Sequence, residues 1–211
     1  MDSRQIVAFG GYPDAAQLEV VFSLAGGRNV LFDHAASPAF DDSELDADVT
    51  HLSFYPWPPA DLRALALAHD VILVGGGNTA NMLAVWRVHG FDRVLREAWE
   101  AGVVLSGWSA GMICWFEAGV TDSFGPQLEG LRDGLGFLPG SACPHYDGEE
   151  LRRPVYRRLV GDGFPPGIAL DDAAGAHYVG TTLNRVLATT PSATGYLVTP
   201  TSEQRLDAVV V

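Results

Sequence analysis

The chain has 211 residues, of which 47% are hydrophobic and 18% charged. That composition supplies a substantial buried core and describes a globular protein rather than a disordered one. A net charge of −13 and a pI near 4.6 exclude nucleic acid and anionic membrane surfaces as partners. All 13 basic residues are arginine, and the two cysteines, Cys114 and Cys143, do not make a disulfide framework. With no secretory leader pattern at residues 1–9 and no run of ~18 apolar residues, a cytoplasmic protein is expected.

In chain order, apolar runs at residues 6–9, 29–32, 71–74, 103–106, 167–170 and 185–189 read as buried parallel strands. Helical spacing fills the intervals at 15–24, 59–68, 81–88, 91–101 and 151–161. Strands alternating with helices predict an α/β fold with a mostly parallel sheet covered on both faces. Residues 39–48 read as an acidic surface loop, and 191–204, rich in Thr, Ser, Pro and Gly, as turns with an edge hairpin. No repeat or linker divides the chain, so 1–211 is read as a single catalytic domain.

The strand at 103–106 runs into Gly107-Trp108-Ser109-Ala110-Gly111, and a short apolar helical segment follows. Gly-x-Ser-x-Gly at a strand-to-helix turn is the pattern of a nucleophile elbow, in which small flanking residues allow a tight, exposed serine. A plain glycine-rich βα turn would look the same at five residues. The preceding strand ends in Gly75-Gly76-Gly77-Asn78-Thr79. In an open parallel sheet both turns fall at the carboxyl edge, where ligands bind. Consecutive glycines bring backbone N–H groups close to a ligand and suit half of an oxyanion hole, with the Ala110 N–H as the other half. The absence of Gly-Lys-Ser/Thr after them excludes a Walker loop.

A serine nucleophile needs a base. Of the six histidines, His69 and His89 fall in or beside predicted helices, and His34 and His51 sit in loops with no supporting motif. His177 lies on a short apolar strand and reads as a core or edge residue. His145, in Cys143-Pro144-His145-Tyr146, is the loop-borne candidate. Asp122, Asp147, Asp171 and Asp172 are the acids that could orient it. Asp171 and Asp172 leave the strand at 167–170 together, so their side chains point in opposite directions and one at most meets the histidine. No His/Cys/Asp cluster has metal-ligand spacing, and no cofactor is expected.

Taken together, Val74-Gly75-Gly76-Gly77-Asn78-Thr79, Gly107-Trp108-Ser109-Ala110-Gly111, Pro144-His145 and Leu170-Asp171-Asp172 resemble the peptidase E, or alpha-aspartyl dipeptidase, family of serine peptidases. The resemblance runs in order over residues 70–180. It implies a three-layer α/β/α fold of the class I glutamine-amidotransferase type. It also implies Ser109 as nucleophile, His145 as base, Asp172 as the third member where the family often has Glu, and Gly77 and Ala110 as oxyanion donors. Gly76, Asn78, Arg152 and Arg153 are the candidate substrate contacts.

The segment after His145 is shorter than in aspartyl-specific relatives, and Leu151 falls where their carboxylate-reading arginine sits. Arg152 or Arg153 would have to substitute for it. The expected activity is therefore hydrolysis of small peptides with weak or no action on aspartyl dipeptides. An α/β-hydrolase esterase built on Ser109, Asp171 and His177 would need a longer chain after the serine. A binding descendant of the same scaffold would have lost a triad member, and cysteine rather than Ser109 would mark an amidotransferase. The partners expected are small peptide substrates, with neither nucleic acid nor membrane, and the sequence leaves a homo-oligomer open.

Overall fold

A computed structural model describes residues 3–34 and 45–211. The first turn of the chain follows directly from local chemistry. Strand β1 (Gln5–Phe9) leads to helix α1 (Ala15–Ala25), which starts where the Asp14 carboxylate accepts the Gln17 N–H and Gln17 reciprocates on the Asp14 N–H. Strands β2 (Asn29–Asp33) and β3 (Asp48–Leu52) come next. Residues 39–44 of the predicted acidic loop lie outside the described residues, and β3 opens where that loop was expected to end. Helix α2 (Leu62–Leu67) is shorter than the predicted 59–68 because Asp61 caps the Ala64 N–H and fixes the start.

Strand β4 (Val71–Val74) precedes helices α3 (Thr79–His89) and α4 (Phe91–Ala101). Gly90, at φ 71°, joins the two helices in a left-handed conformation that a residue with a Cβ resists. Helix α4 buries Phe91, Leu95, Ala98 and Trp99, the i, i+4, i+7, i+8 stripe of a core-facing helix. Strand β5 (Val104–Trp108) runs two residues beyond its predicted end and delivers the chain to Ser109 and the four-residue helix α5 (Ala110–Ile113).

Beyond α5 the chain adds strands the hydrophobic pattern had not shown: β6 (Phe116–Thr121), β7 (Glu129–Leu131) and β8 (Leu138–Cys143). Helix α6 (Arg152–Gly161) and β9 (Gly167–Leu170) follow. Strands β10 (Ala174–Val179), β11 (Thr182–Ala188), β12 (Gly195–Val198), β13 (Glu203–Arg205) and β14 (Ala208–Val210) complete the described chain. The hairpin expected in 191–204 is β12 with β13, antiparallel and at a sheet edge.

The strands form two sheets. The larger has the order β14-β11-β10-β1-β5-β4-β2-β3, with β1, β2, β3, β4 and β5 parallel and β10 antiparallel to its neighbours. The smaller, mixed sheet has the order β13-β12-β9-β8-β6-β7. Alternation along the larger sheet divides its two faces. Val7, Phe9, Val30, Phe32 and Val71 pack with Leu18, Val21 and Phe22 of α1. Ile6, Leu31, Ile72 and Leu105 pack with Trp86 and Trp99 of α3 and α4, and with Leu138 and Ile168 of the second sheet. The second sheet turns Val120, Cys143 and Ala169 towards Tyr156 and Val160 of α6. The α/β/α layering expected from the sequence is present, with a second sheet sharing one inner layer with the helices.

Candidate active site

The elbow at Ser109 is a consequence of crowding. A Cβ on Gly107 would lie 2.5 Å from the Val74 carbonyl oxygen and 2.7 Å from that of Gly111. A Cβ on Gly111 would overlap the same Val74 oxygen and stand 2.8 Å from its carbonyl carbon. Both positions need the absence of a side chain so that β4, β5 and α5 can meet. Ser109 takes up the sharp turn with φ 55° and ψ −112°, a conformation that costs on the order of 1–3 kcal/mol in an L-residue. Its carbonyl accepts the N–H groups of Met112 and Ile113, both at 3.0 Å. Helix α5 is a single turn, so its dipole at the hydroxyl is small.

The glycine turn after β4 lies against this elbow. A Cβ on Gly76 would be 3.3 Å from Ser109 Cβ and 3.1 Å from Trp108 Nε1, and Gly77 has φ 138°. Trp108 is buried under Tyr12, whose ring meets it edge-on at 4.9 Å. Asn78 serves the fold: its side chain caps α3 through the Asn81 N–H and donates to the Ser123 carbonyl at 3.0 Å.

Among the described residues, the non-glycine residues with positive φ are Ser109 and His145. His145 follows β8, at φ 54°, and its Nδ1 stands 2.6 Å from Asp172 Oδ1. An ionised carboxylate can only accept, so Nδ1 carries the hydrogen, and in the neutral imidazole Nε2 is left with the lone pair. Asp172 leaves the carboxyl end of β9, where its N–H donates to Asp147 Oδ1 at 2.8 Å and its carbonyl accepts the Gly11 N–H at 3.1 Å. An open cleft of about 300 Å³ adjoins the pair, lined by Tyr12, Asp14, Gln17, His145, Asp172 and Thr189 among others.

The other candidates are placed elsewhere. Asp171 points away from Asp172, as strand alternation requires; it is buried and accepts the Thr194 N–H at 2.9 Å. Burial pushes its carboxyl up to about 6 despite that hydrogen bond. Asp122 is exposed in the turn after β6. His177 is held between Gln5 Oε1 at 2.9 Å and Asn184 Nδ2 at 3.2 Å, and burial pushes its imidazole down to about 4, with Arg185 adding to the shift. His69 packs Nδ1 on the Leu65 carbonyl, His89 lies against the Phe54 ring, and His34 Nε2 pairs with His51 Nδ1 at 2.8 Å.

Both arginines considered for substrate binding are committed to protein partners. Arg152 is buried, with Nε 2.7 Å from Glu149 Oε2 and an Nη donating to the Val120 carbonyl at 2.7 Å. The guanidinium pins the turn that follows His145 to the second sheet. Arg153 pairs with Glu203 and stacks over Tyr146 and Tyr196. Sequence reasoning did not single out Tyr12 and Gln17, which line the cleft beside His145. Among the described residues no group of three or more His, Cys, Asp or Glu is placed to hold a metal ion, and no helix is long and apolar enough to cross a membrane.

With this geometry in place, the comparisons with known proteins fall into one group. The family model of peptidase family S51 matches residues 34–186. An uncharacterized peptidase, YgaJ, of Bacillus subtilis (strain 168) is 50% identical over 155 residues, covering 73% of this chain and 66% of that protein. Peptidase E of Shewanella sp. (strain W3-18-1) is 28% identical over 132 residues, 62% of this chain and 54% of the relative. The chain thus matches less than two thirds of the length of either curated relative. The crystal structure of a peptidase from an acI-B1 Actinobacterium shares the fold at 15% identity, with a TM-score of 0.67 over 97% of this chain and 94% of that one.

Proposed function

We propose that this chain, which belongs to peptidase family S51, is a serine-type peptidase that hydrolyses small peptides through Ser109, His145 and Asp172. The observation that carries the reading is the pairing of backbone strain with a charge-assisted contact. Ser109 and His145 are held in left-handed conformations, and His145 Nδ1 meets Asp172 Oδ1 at 2.6 Å. Strain of this kind persists where surrounding structure overdetermines it, and it clusters at reactive sites.

In the reaction, the Ser109 hydroxyl adds to the scissile carbonyl while His145 Nε2 takes its proton. Asp172 holds the imidazole in the tautomer with hydrogen on Nδ1 and stabilises the imidazolium as it forms. The N–H groups of Gly77 and Ala110 receive the tetrahedral oxyanion. His145 then returns the proton to the departing amine, and a water molecule releases the acyl group by the same steps in reverse.

Substrate choice follows from the arginines. A carboxylate bound away from water needs a paired cation. Arg152 and Arg153 are committed to Glu149 and Glu203, and the cleft beside His145 is lined by Asp14 and Asp172. Peptides with neutral N-terminal side chains fit this surface better than aspartyl peptides. A panel of dipeptides with Asp, Glu, apolar and basic N-terminal residues, read by free amine release, tests both parts. Turnover of neutral dipeptides that Ser109→Ala abolishes supports the proposal; full turnover in that variant rejects it. Efficient Asp-Leu cleavage would reject the specificity alone.

A further inference from the structure

We infer that Gly11 and Gly148 are positioning residues whose missing side chains form a slot that holds the Asp172 carboxylate against His145. The inference deepens the triad reading above and rests on it for its link to activity. Its geometric content stands on the following contacts.

A Cβ on Gly148 would overlap Asp172 Oδ2 and lie 2.7 Å from the carboxyl carbon and 3.2 Å from Oδ1. A Cβ on Gly11 would lie 2.9 Å from Asp172 Oδ1 and 2.8 Å from its carbonyl oxygen. Each carboxylate oxygen therefore abuts a glycine, one from the turn after β1 and one from the turn after His145. Neither glycine has positive φ, so the requirement is one of space rather than of a left-handed backbone. A half-exposed aspartate, at 48% side-chain exposure, has rotamers open to water that point away from the histidine. The slot, with the Asp147 and Gly11 contacts to the Asp172 backbone, removes that freedom.

The turn that supplies Gly148 is itself anchored. The Tyr146 N–H donates to the Leu170 carbonyl at 3.0 Å, and the Glu149 N–H to the His145 carbonyl at 3.1 Å. Buried Arg152 holds Glu149 from the other side. An added methyl at 148 thus meets a fixed backbone, and the atom able to yield is the Asp172 carboxylate, moving off His145.

The test compares G148A and G11A with G161A, a control whose new Cβ has nothing within 4 Å. Proton NMR follows the low-field resonance of the His145 Nδ1–H, which reads the contact with Asp172 and needs no substrate. An organophosphorus fluoride measures the reactivity of Ser109 by intact mass. The slot predicts that G148A loses the low-field resonance or moves it upfield, as D172N does, and slows phosphonylation on the order of 10²-fold. G11A should do the same to a lesser degree, and G161A should match the parent. If G148A does not fold, G11A carries the test. Unchanged resonance and rate in the folded variants would overturn the inference and leave the triad standing. Failure of the parent to react at Ser109 would count against the triad, while the resonance would still decide the slot.

Discussion

The elbow that carries Ser109 and the turns that carry His145 and Asp172 are built by different means. Around Ser109 the backbone is buried, and its shape is dictated by strands hydrogen-bonded on either side: Gly107 lies opposite Ala8 on β1 and Val74 on β4. Around His145 the parts come from residues 11, 147, 148 and 172, joined by hydrogen bonds and close approach in a partly open cleft. One half of the proposed site is thus inseparable from the core of the larger sheet. The other half is an assembly of loops that can lose its geometry while the fold stays intact.

That contrast is sharpest for D172N, which should leave the thermal midpoint nearly unchanged yet lower turnover by about 10⁴-fold, because the amide favours the wrong histidine tautomer. Thermal unfolding and steady-state kinetics on one preparation check both halves of the statement. A matching fall in stability would mean that the acid loop belongs to the core after all.

On the elbow side the order of effects reverses. G111A places a methyl group against the Val74 carbonyl inside the sheet, an overpacking of backbone on backbone with no flexible atom to yield. Chemical denaturation should show a loss of about 3 kcal/mol or more. A smaller loss would show that β4 and α5 can separate, and that the elbow is held less tightly than its contacts suggest.

Arg152 ties the turn after His145 to Val120 of the second sheet. R152A should destabilise the chain by about 2 kcal/mol, since it removes charged hydrogen bonds from a buried group, while the ranking of dipeptide substrates stays the same. A change of substrate preference towards or away from acidic peptides would return Arg152 to the substrate pocket.

The smallest expected effect concerns Asp171. Its folded carboxyl titrates near 6 against an ordinary value of 3.8, so the unfolded state gives up its proton first. Its contribution to stability is present below about pH 4 and is lost as pH rises through 6. In D171N the Thr194 N–H can still be accepted, and the variant should gain thermal stability over the parent at pH 7–8 but not at pH 4. Equal gains at both values would mean that the effect is not one of titration.

How legible each part was follows from the same division. The parallel strands, helices α1 and α4, and the elbow carry local signals: uninterrupted apolar runs, helical stripes, and glycines at fixed offsets from Ser109. The second sheet was hidden because β6 and β8 carry Glu117, Gly119, Pro139 and Gly140 within short runs and show no clean period. His145 and Asp172 could be singled out with the help of the family resemblance. Their distance, the inward turn of Arg152 and the facing glycines depend on chain segments far apart in sequence, which no local pattern records. Asn78 has a structural role that its place beside the glycine turn did not reveal, since its side chain caps α3.

The central claim is that Ser109 and His145 act as one unit. Its most direct test is kcat/KM for S109A, H145A and the double variant on whichever dipeptide the panel shows to be turned over best. Residues acting in concert lose nearly everything at the first substitution, so the double variant should be no slower than either single one, with all three down by about 10⁴-fold or more. Losses that multiply in the double variant, or a single variant close to the parent, would contradict the account.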